Sequence, residues 1–227
     1  MIQMRRLLIS GFVIAILTCG VAAQDRKLYP VDQGGQDQSF KVFRDRLIAA
    51  ARKKDKQFIL SILDPNIELS FGGDRGIKDF NKMYNLDKPN SPFWSELTKV
   101  LSLGGAFKTT EGRREFVAPY VTSNWPEDGS VDGFEYVAVT GTNVRLRAAP
   151  GLSSPVVASL TYDIVKLVDM RQSASERKDG LKWIKVMTGA GKQGYLADKY
   201  VRSPIDYRAF FRKIKGNWLM VAFIAGD

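Results

Sequence analysis

The side chains of this sequence that could carry out acid–base chemistry are carboxylates, because histidine is absent and Cys19 is the only cysteine. A pair of carboxylic acids is the catalytic unit of most glycoside hydrolases. The best local group surrounds a glycine-rich turn and a tryptophan-bearing stretch, and consists of Asp74, Asp79, Glu96 and Glu115. In the structural interpretation, Asp74 caps a helix while Asp79 and Glu96 face solvent. Glu115 then pairs with Arg113 or Arg114. We favour this interpretation and assign no catalytic residue.

The absence of histidine excludes whole classes of enzyme. Serine and cysteine hydrolases that depend on a histidine base and zinc enzymes that depend on histidine ligands are both ruled out. The turn at residues 72–76 reads GGDRG and lacks the spacing and the lysine of a phosphate-binding loop. We therefore expect neither a metal nor a cofactor.

Aromatic side chains offer a second kind of chemistry, which is binding without catalysis. A ligand site needs a concave apolar surface with a few polar groups. The candidates to line one are Trp94, Tyr120, Trp125, Trp183 and Tyr195. For Trp183 and Tyr195 the alternative is packing in a core or at its rim.

The first 23 residues have the pattern of a secretory signal peptide. Arg5 and Arg6 precede an apolar run over residues 7–17, and small residues end at Ala23. We expect cleavage after Ala23 and export to the periplasm or the medium. A retained anchor and a lipoprotein modified at Cys19 are the alternatives. Cleavage after Ala23 would leave no cysteine in the mature chain, which would then be unable to form a disulfide.

The charge of the mature chain is strongly positive. Loss of Arg5 and Arg6 leaves 32 basic and 24 acidic residues, a net charge of +8. Such a surface is attracted to anionic polymers or to a membrane surface. The charges are interspersed, however, as in RDR at residues 44–46. We expect mostly solvated surface and no nucleic-acid partner after export.

The region before residue 134 has mixed character. Residues 24–38 are polar and without periodicity, so we expect a flexible leader. A module over residues 39–133 follows, in which Ser39 could cap a helix whose apolar residues recur at three and four. Further helices are predicted over residues 56–63, after Asp74 and after Pro92. Strands are predicted at residues 67–71 and 116–121, the second near a sheet edge because it contains proline.

From residue 136 the sequence changes to short strands separated by turns, which is typical of a small barrel. The strands are predicted at residues 136–140, 144–147, 156–160, 164–170, 182–187 and 194–196. Alternation at residues 144–147 directs Val144 and Leu146 inward and the two arginines outward. A final hairpin flanks the turn at residues 215–217.

Residues 142–151 read TNVRLRAAPG, which resembles the opening signature of bacterial SH3-like (SH3b) domains. The other motifs of that family follow in order, as SPVVASL at 154–160, IVKLV at 164–168, LKWIKV at 181–186, GYL at 194–196 and DKYV at 198–201. The resemblance implies an all-β SH3-like barrel over residues 136–203. Two departures are the long charged segment 171–180 and Leu181 in place of a glycine before Trp183.

The fold class expected is therefore an α+β N-terminal module with a curved antiparallel sheet, together with that barrel. The N-terminal module resembles uncharacterised exported modules that accompany SH3-like domains. The hairpin within residues 204–227 is similar to the last strands of cone-shaped helix-plus-sheet folds. Its apolar face at period two needs a partner outside the barrel, so we expect it to complete the N-terminal module with the barrel inserted before it.

The resemblance implies a non-catalytic binding protein of the cell envelope. Its SH3-like domain would bind a cell-wall peptide or glycan, or a protein partner. A carboxylate-dependent cell-wall hydrolase and a purely architectural envelope protein are the alternatives. Likeness of fold is an indirect argument for any of these functions.

Overall fold

The computed structural model describes residues 26–110, 112–168 and 176–226. The expected signal peptide over residues 1–23 lies outside this part of the chain, as do residues 171–175 of the charged loop. Within the described part, no helix is both long enough and apolar enough to cross a membrane.

The chain has the expected α+β class, with five α-helices and thirteen strands in its described part. The helices are α1 (Gln38–Lys53), α2 (Lys56–Ser61), α3 (Gly76–Tyr84), α4 (Pro92–Ser102) and α5 (Tyr120–Ser123). The strands are β1 (Leu63–Glu68), β2 (Ala106–Thr110), β3 (Arg113–Ala118), β4 (Tyr136–Val139), β5 (Val144–Arg147), β6 (Val156–Leu160), β7 (Ile164–Leu167), β8 (Glu176–Lys178), β9 (Leu181–Met187), β10 (Gln193–Ala197), β11 (Val201–Arg202), β12 (Arg208–Ile214) and β13 (Asn217–Ile224).

The first sheet has five strands in the order β1-β13-β12-β3-β2. The C-terminal hairpin of β12 and β13 therefore lies at its centre, with β13 parallel to β1 and β12 antiparallel to β3. The turn between the hairpin strands contains Lys215 and Gly216, both at positive φ, as the sequence pattern indicated. The strands that the hairpin joins are separated from it in sequence by all of β4–β11.

Helix α1 packs on one face of this sheet through an aromatic core. Phe40 is fully buried, with its ring centroid 4.3 Å from that of Phe116 and 4.8 Å from that of Trp218. Leu47 continues the same face of the helix at the expected spacing and is also fully buried. The cap lies two residues earlier than predicted, because the Asp37 carboxylate, and not Ser39, caps the helix by accepting from the Ser39 and Phe40 N–H groups.

Two prolines lie in places that the sequence pattern did not predict. Pro65 lies inside β1, which extends further toward the N-terminus than the predicted strand at residues 67–71; β1 is an edge strand, where a missing N–H is tolerated. Pro119 lies outside β3, which ends at Ala118 and is an interior strand. The prediction of an edge strand through Pro119 is therefore wrong, because the proline ends that strand and precedes α5.

Residues 26–38 form an ordered segment, in contrast to the flexible leader expected. Leu28 is buried beside Tyr120, Val121 and Ile164, and its N–H donates to the Tyr162 carbonyl at 2.7 Å. The Gln33 N–H donates to the Gly105 carbonyl at 2.8 Å, next to the first sheet. We call residues 26–33 the N-terminal strap, since they contact both sheets.

The second sheet runs in the order β11-β4-β7-β9-β10-β5-β6, with β8 paired to β9. Among the described residues these pairings form an open path and do not close into a barrel, so the closed barrel expected for residues 136–203 is not seen. The sheet still encloses a core of its own, which consists of Val137, Val139, Val144, Leu146, Leu160, Val165, Val186 and Leu196. Its strands follow the predicted ones within a few residues.

Candidate functional site

A groove of about 250 Å³ opens on the second sheet beside Trp183. We call it the basic groove, and its lining includes Asn143, Arg145, Leu152, Trp183, Lys199 and Tyr200. Trp183 lies on β9 opposite Ala197 of β10 and is only 3 % exposed. Its indole Nε1 donates to the Lys178 carbonyl at 3.0 Å. Trp183 is therefore a fixed floor for the groove.

The charged side chains among the described residues that line the basic groove are positive. Arg145 and Lys199 are exposed, and Arg147 is buried beside them. The Lys199 Nζ lies 4.9 Å from the ring centroid of Tyr200, which is 41 % exposed. A ligand in this groove would meet a positive field together with an aromatic rim.

The turn before β5 positions Arg145. Asn143 has a φ of 52°, in the left-handed region that asparagine tolerates better than most residues. Its N–H donates to the Thr161 Oγ1 at 2.9 Å. From there the side chains of β5 alternate as predicted between buried and exposed, with Val144 and Leu146 buried and Arg145 exposed. This places the Arg145 side chain outward.

The predicted outward direction of Arg147 is wrong. The residue is 8 % exposed, and its Nη1 donates to the Ser154 carbonyl at 2.6 Å. The register between β5 and β6 shifts between Leu146 and Arg147, which breaks the simple alternation. Arg147 therefore fixes the turn before β6 while still lining the basic groove.

The structure does not bring the five aromatic candidates together. Trp183 alone lines the basic groove, and Tyr195 is half-buried on β10 opposite Arg147. Trp94 is 4 % exposed within the core of the first sheet, so it lines no surface. Tyr120 is 1 % exposed in a small core with Leu28, and Trp125 packs beside that core. We therefore correct the assignment of Trp94 and Tyr120 to a ligand surface.

Three of these buried or half-buried aromatics differ in how their polar atoms are satisfied. The Trp125 Nε1 donates to the Val131 carbonyl at 3.0 Å. Among the described residues, the Trp94 Nε1 and the Tyr120 hydroxyl have no hydrogen-bond partner. Burial raises the pKa of Tyr120 to about 12. Both unpaired groups lie inside the molecule, so they act on stability.

The four carboxylates considered for catalysis each have a separate local partner. Asp74 accepts from the Ser70 hydroxyl at 2.7 Å, and Asp79 accepts from the Arg75 N–H at 3.2 Å. The helix cap expected at Asp74 is wrong, because Arg75 is the N-cap residue of α3. Glu96 pairs with Lys99 at 2.7 Å. Glu115 pairs with Arg212 across the sheet, and not with the neighbouring arginine expected. No two of these four share a hydrogen-bond partner.

Among the described residues, the carboxyl groups with a shifted pKa have a lowered one. The pKa of Asp128 falls to about 2, chiefly because the Ser130 hydroxyl and N–H donate to it, with Arg26 beside them. The pKa of Asp37 is lowered by the Ser39 hydroxyl and the Phe40 N–H. A general acid needs the opposite shift. In the described part of the chain, no cluster of three or more acidic residues is placed to hold a metal ion.

The sequence pattern missed Arg145, Lys199 and Tyr200 as site residues. They converge from segments more than fifty residues apart, so no local spacing signals them. The available signal was that all three stand within motifs of the SH3-like resemblance.

Comparison of the chain with protein-family models, with curated proteins and with solved structures yields no match.

Proposed function

We propose that this protein is an exported, non-catalytic binding protein of the cell envelope, and that the basic groove binds an acidic cell-wall peptide. The single observation that carries the proposal is the charge of the groove, because the charged side chains among its described lining residues are Arg145, Arg147 and Lys199. Peptide carboxylates would meet Arg145 and Lys199, which are exposed. Aliphatic parts of the peptide would pack on Leu152 and Tyr200, both exposed at the rim.

We further propose that residues 136–203 are a bacterial SH3-like module with an opened strand path. The order of its motifs supports this, since the first five fall in sequence on β5, β6, β7, β9 and β10, and DKYV at 198–201 covers the turn before β11 and the first residue of that strand. An independent core of eight side chains supports it too. In this proposal the basic groove lies between the turn before β5 and the closing turn after β10.

A binding function fits the chemistry of the acidic residues better than hydrolysis does. The four candidate carboxylates are held by different local partners and do not form a pair. Hydrolysis of a glycan needs one carboxyl group that stays protonated near neutral pH. This requirement supports the non-catalytic proposal.

The decisive experiment measures binding of the protein to purified peptidoglycan and to a soluble cell-wall peptide with free carboxylates. The substitution pair Arg145→Gln and Lys199→Gln should weaken binding about tenfold, from two partly exposed charge contacts. The pair Lys182→Gln and Lys185→Gln is the matched control, because it also removes two charges, and both residues are exposed on β9 of the same sheet and do not line the groove. Equal losses in both variants would reduce the effect to non-specific attraction by net charge.

Salt and aromatic substitution separate two components of binding. The charge component should weaken as ionic strength rises. Tyr200→Ala should weaken the component that survives high salt, since Tyr200 is exposed and its loss removes packing without removing charge. Binding that disappears completely at high salt would contradict the groove and leave only surface attraction.

Export is tested by the intact mass of the protein from the envelope fraction. We expect the mature chain to begin at Gln24. A diacylglyceryl adduct on Cys19 would instead place the protein among lipoproteins and contradict cleavage after Ala23.

A further inference from the structure

A second cavity, of about 400 Å³, lies on the face of the first sheet opposite α1. We call it the sheet cleft, and its lining includes Asp64, Glu68, Phe71, Phe210, Ala222 and Ile224. Its volume is in the range of small-molecule sites. It shares no lining residue with the basic groove.

The register of the sheet explains why a cleft forms here. Glu68 of β1 stands opposite Ala222 of β13, and Ala222 stands opposite Phe210 of β12, so the three form one row across three strands. Their side chains share a face, and Ala222 is the smallest of them. Because the short Ala222 side chain lies between the longer side chains of Glu68 and Phe210, a depression forms above it. Ile224 lies two residues further along the same face.

Phe71 forms the rim of the sheet cleft and is 58 % exposed. It lies on a tight loop that is closed by two hydrogen bonds, from the Leu69 N–H to the Asp74 carbonyl at 3.0 Å and from the Ser70 hydroxyl to Asp74 at 2.7 Å. The Arg208 guanidinium stands 5.4 Å from the ring centroid of Phe71. The Phe71 ring therefore already accepts a cation on one face.

The charged side chains of the sheet cleft are paired on one side and, in the described part of the chain, unpaired on the other. Glu115 is neutralised by Arg212, whose Nε donates to it at 2.8 Å. On the β1 side, the Asp64 and Glu68 carboxylates have no basic side chain as an ion-pair partner among the described residues. Arg208 and Arg212 line the β12 side of the cleft, and Arg75 is the bridge partner of Glu68 but forms no ion pair with it. The β1 wall therefore carries two carboxylates without an ion pair among the described residues.

We propose that the sheet cleft binds an alkylammonium group, such as the amine side chain of a peptide. The ammonium pairs with Glu68, and the alkyl chain lies over Ala222 between Phe210 and the rim residue Phe71. Carboxylate and aromatic faces together are the chemistry that recognises organic ammonium ions. Asp64 lies four residues earlier on the same strand and lines the same cleft, so its carboxylate adds to the negative field there.

The test is a nuclear magnetic resonance titration of the protein with n-butylammonium chloride, with Nα-acetyl-lysine-N-methylamide and with sodium butyrate. Both amines should shift the methyl resonances of Ala222 and Ile224, and butyrate should not. A response to butylammonium alone would identify a site for free amines, and a response to both would extend it to lysine side chains. If butyrate shifts these methyl groups as much as the amines do, or if neither amine shifts them, the proposal is wrong.

Two variants connect the titration to the sheet cleft. Glu68→Gln should raise the dissociation constant about fivefold, as expected for one exposed charge contact, and it should fold because Glu68 is exposed. Ala222→Leu should fill the cleft and remove the shift at Ile224. Glu127→Gln is the matched control, since Glu127 is an exposed carboxylate paired with Lys108 away from the cleft. Unchanged affinity in Glu68→Gln would contradict the proposed site.

This inference is independent of the proposed function of the basic groove. The Arg145→Gln and Lys199→Gln pair should leave the butylammonium titration unchanged, and Glu68→Gln should leave binding to peptidoglycan unchanged. A protein that fails to bind peptidoglycan but still shows the Ala222 and Ile224 shifts would disprove the first proposal and support the second.

Discussion

Arg212 and Glu115 are direct cross-strand partners on β12 and β3, and the Arg212 Nε donates to the Glu115 carboxylate at 2.8 Å. Glu115 is only 7 % exposed. The sequence pattern favoured Arg113 or Arg114 as its partner. Residues opposite each other on adjacent strands are closer than residues two apart on one strand, however, and Arg114 pairs with Asp37 at 3.2 Å. The pair thus joins two segments that are almost one hundred residues apart.

Arg212→Met should destabilise the protein by about 2 kcal/mol, because it leaves the largely buried Glu115 carboxylate without its partner. The double variant Arg212→Met with Glu115→Gln should recover part of the loss. Urea unfolding gives both free energies. Lys41→Met is the control, since Lys41 and Asp45 form an exposed pair on α1 and should contribute at most about 0.5 kcal/mol. Equal effects at the two sites would show that the buried pair has no special role.

Tyr120→Phe should raise the free energy of unfolding by about 1 kcal/mol, because it removes a buried hydroxyl that has no partner among the described residues. Tyr84→Phe is the contrasting variant. Its hydroxyl donates to the Phe223 carbonyl at 3.5 Å, so that change should have no stabilising effect. Thermal and urea unfolding of the two variants measure the difference. A destabilised Tyr120→Phe would mean that the hydroxyl is satisfied in solution.

The same tyrosine predicts a loss of stability at high pH. The pKa of Tyr120 is raised from 10 in the unfolded chain to about 12 by burial. Between pH 10 and about 12 the folded state therefore keeps the Tyr120 proton while the unfolded state loses it. The free energy of unfolding is consequently unaffected by this group below pH 10 and falls as the pH rises toward 12. Unfolding measured across this interval should show a smaller alkaline loss in Tyr120→Phe than in the wild-type protein. Identical profiles would contradict the shift.

Leu28→Ala should destabilise the protein by about 2–3 kcal/mol, since Leu28 is a buried member of the small core with Tyr120 and Ile164. Tyr29→Ala is the control, because Tyr29 is 61 % exposed and its replacement should change stability by less than about 1 kcal/mol. If the two substitutions have equal effects, the N-terminal strap does not contribute through burial. Limited proteolysis near residue 30 gives an independent measure of its attachment.

The sequence pattern predicted those elements whose bounds and buried face depend on neighbouring residues in the sequence. Helix α4 begins at Pro92 and buries the predicted face of Phe93, Trp94 and Leu97. The same reasoning failed for the strap, because the order of Leu28 depends on partners about one hundred residues away. It failed for Trp94 as a ligand residue for a related reason. An aromatic face at helical spacing has the same pattern whether it meets a core or a ligand.

Removal of residues 204–227 should unfold the first sheet while leaving the second folded. Strands β12 and β13 lie at the centre of the order β1-β13-β12-β3-β2, so their loss leaves β1 alone and β2 with β3 as a two-stranded ribbon, which is marginal in water. It also removes Phe211, Met220 and Phe223, which are fully buried. The second sheet loses none of its eight core side chains, all of which lie between residues 137 and 196.

A fragment of residues 136–203 should therefore fold alone, although with less stability than in the whole chain. Asp163 is buried and loses the Lys27 ammonium that stands 2.7 Å from it, and Ile164 loses the covering side chain of Leu28. Adding a peptide of residues 26–33 to the fragment should restore part of the lost stability. Circular dichroism and urea unfolding of the truncated chain and of the fragment measure each outcome. If truncation at residue 204 leaves the cooperative unfolding of the first sheet unchanged, the hairpin does not complete that sheet in solution.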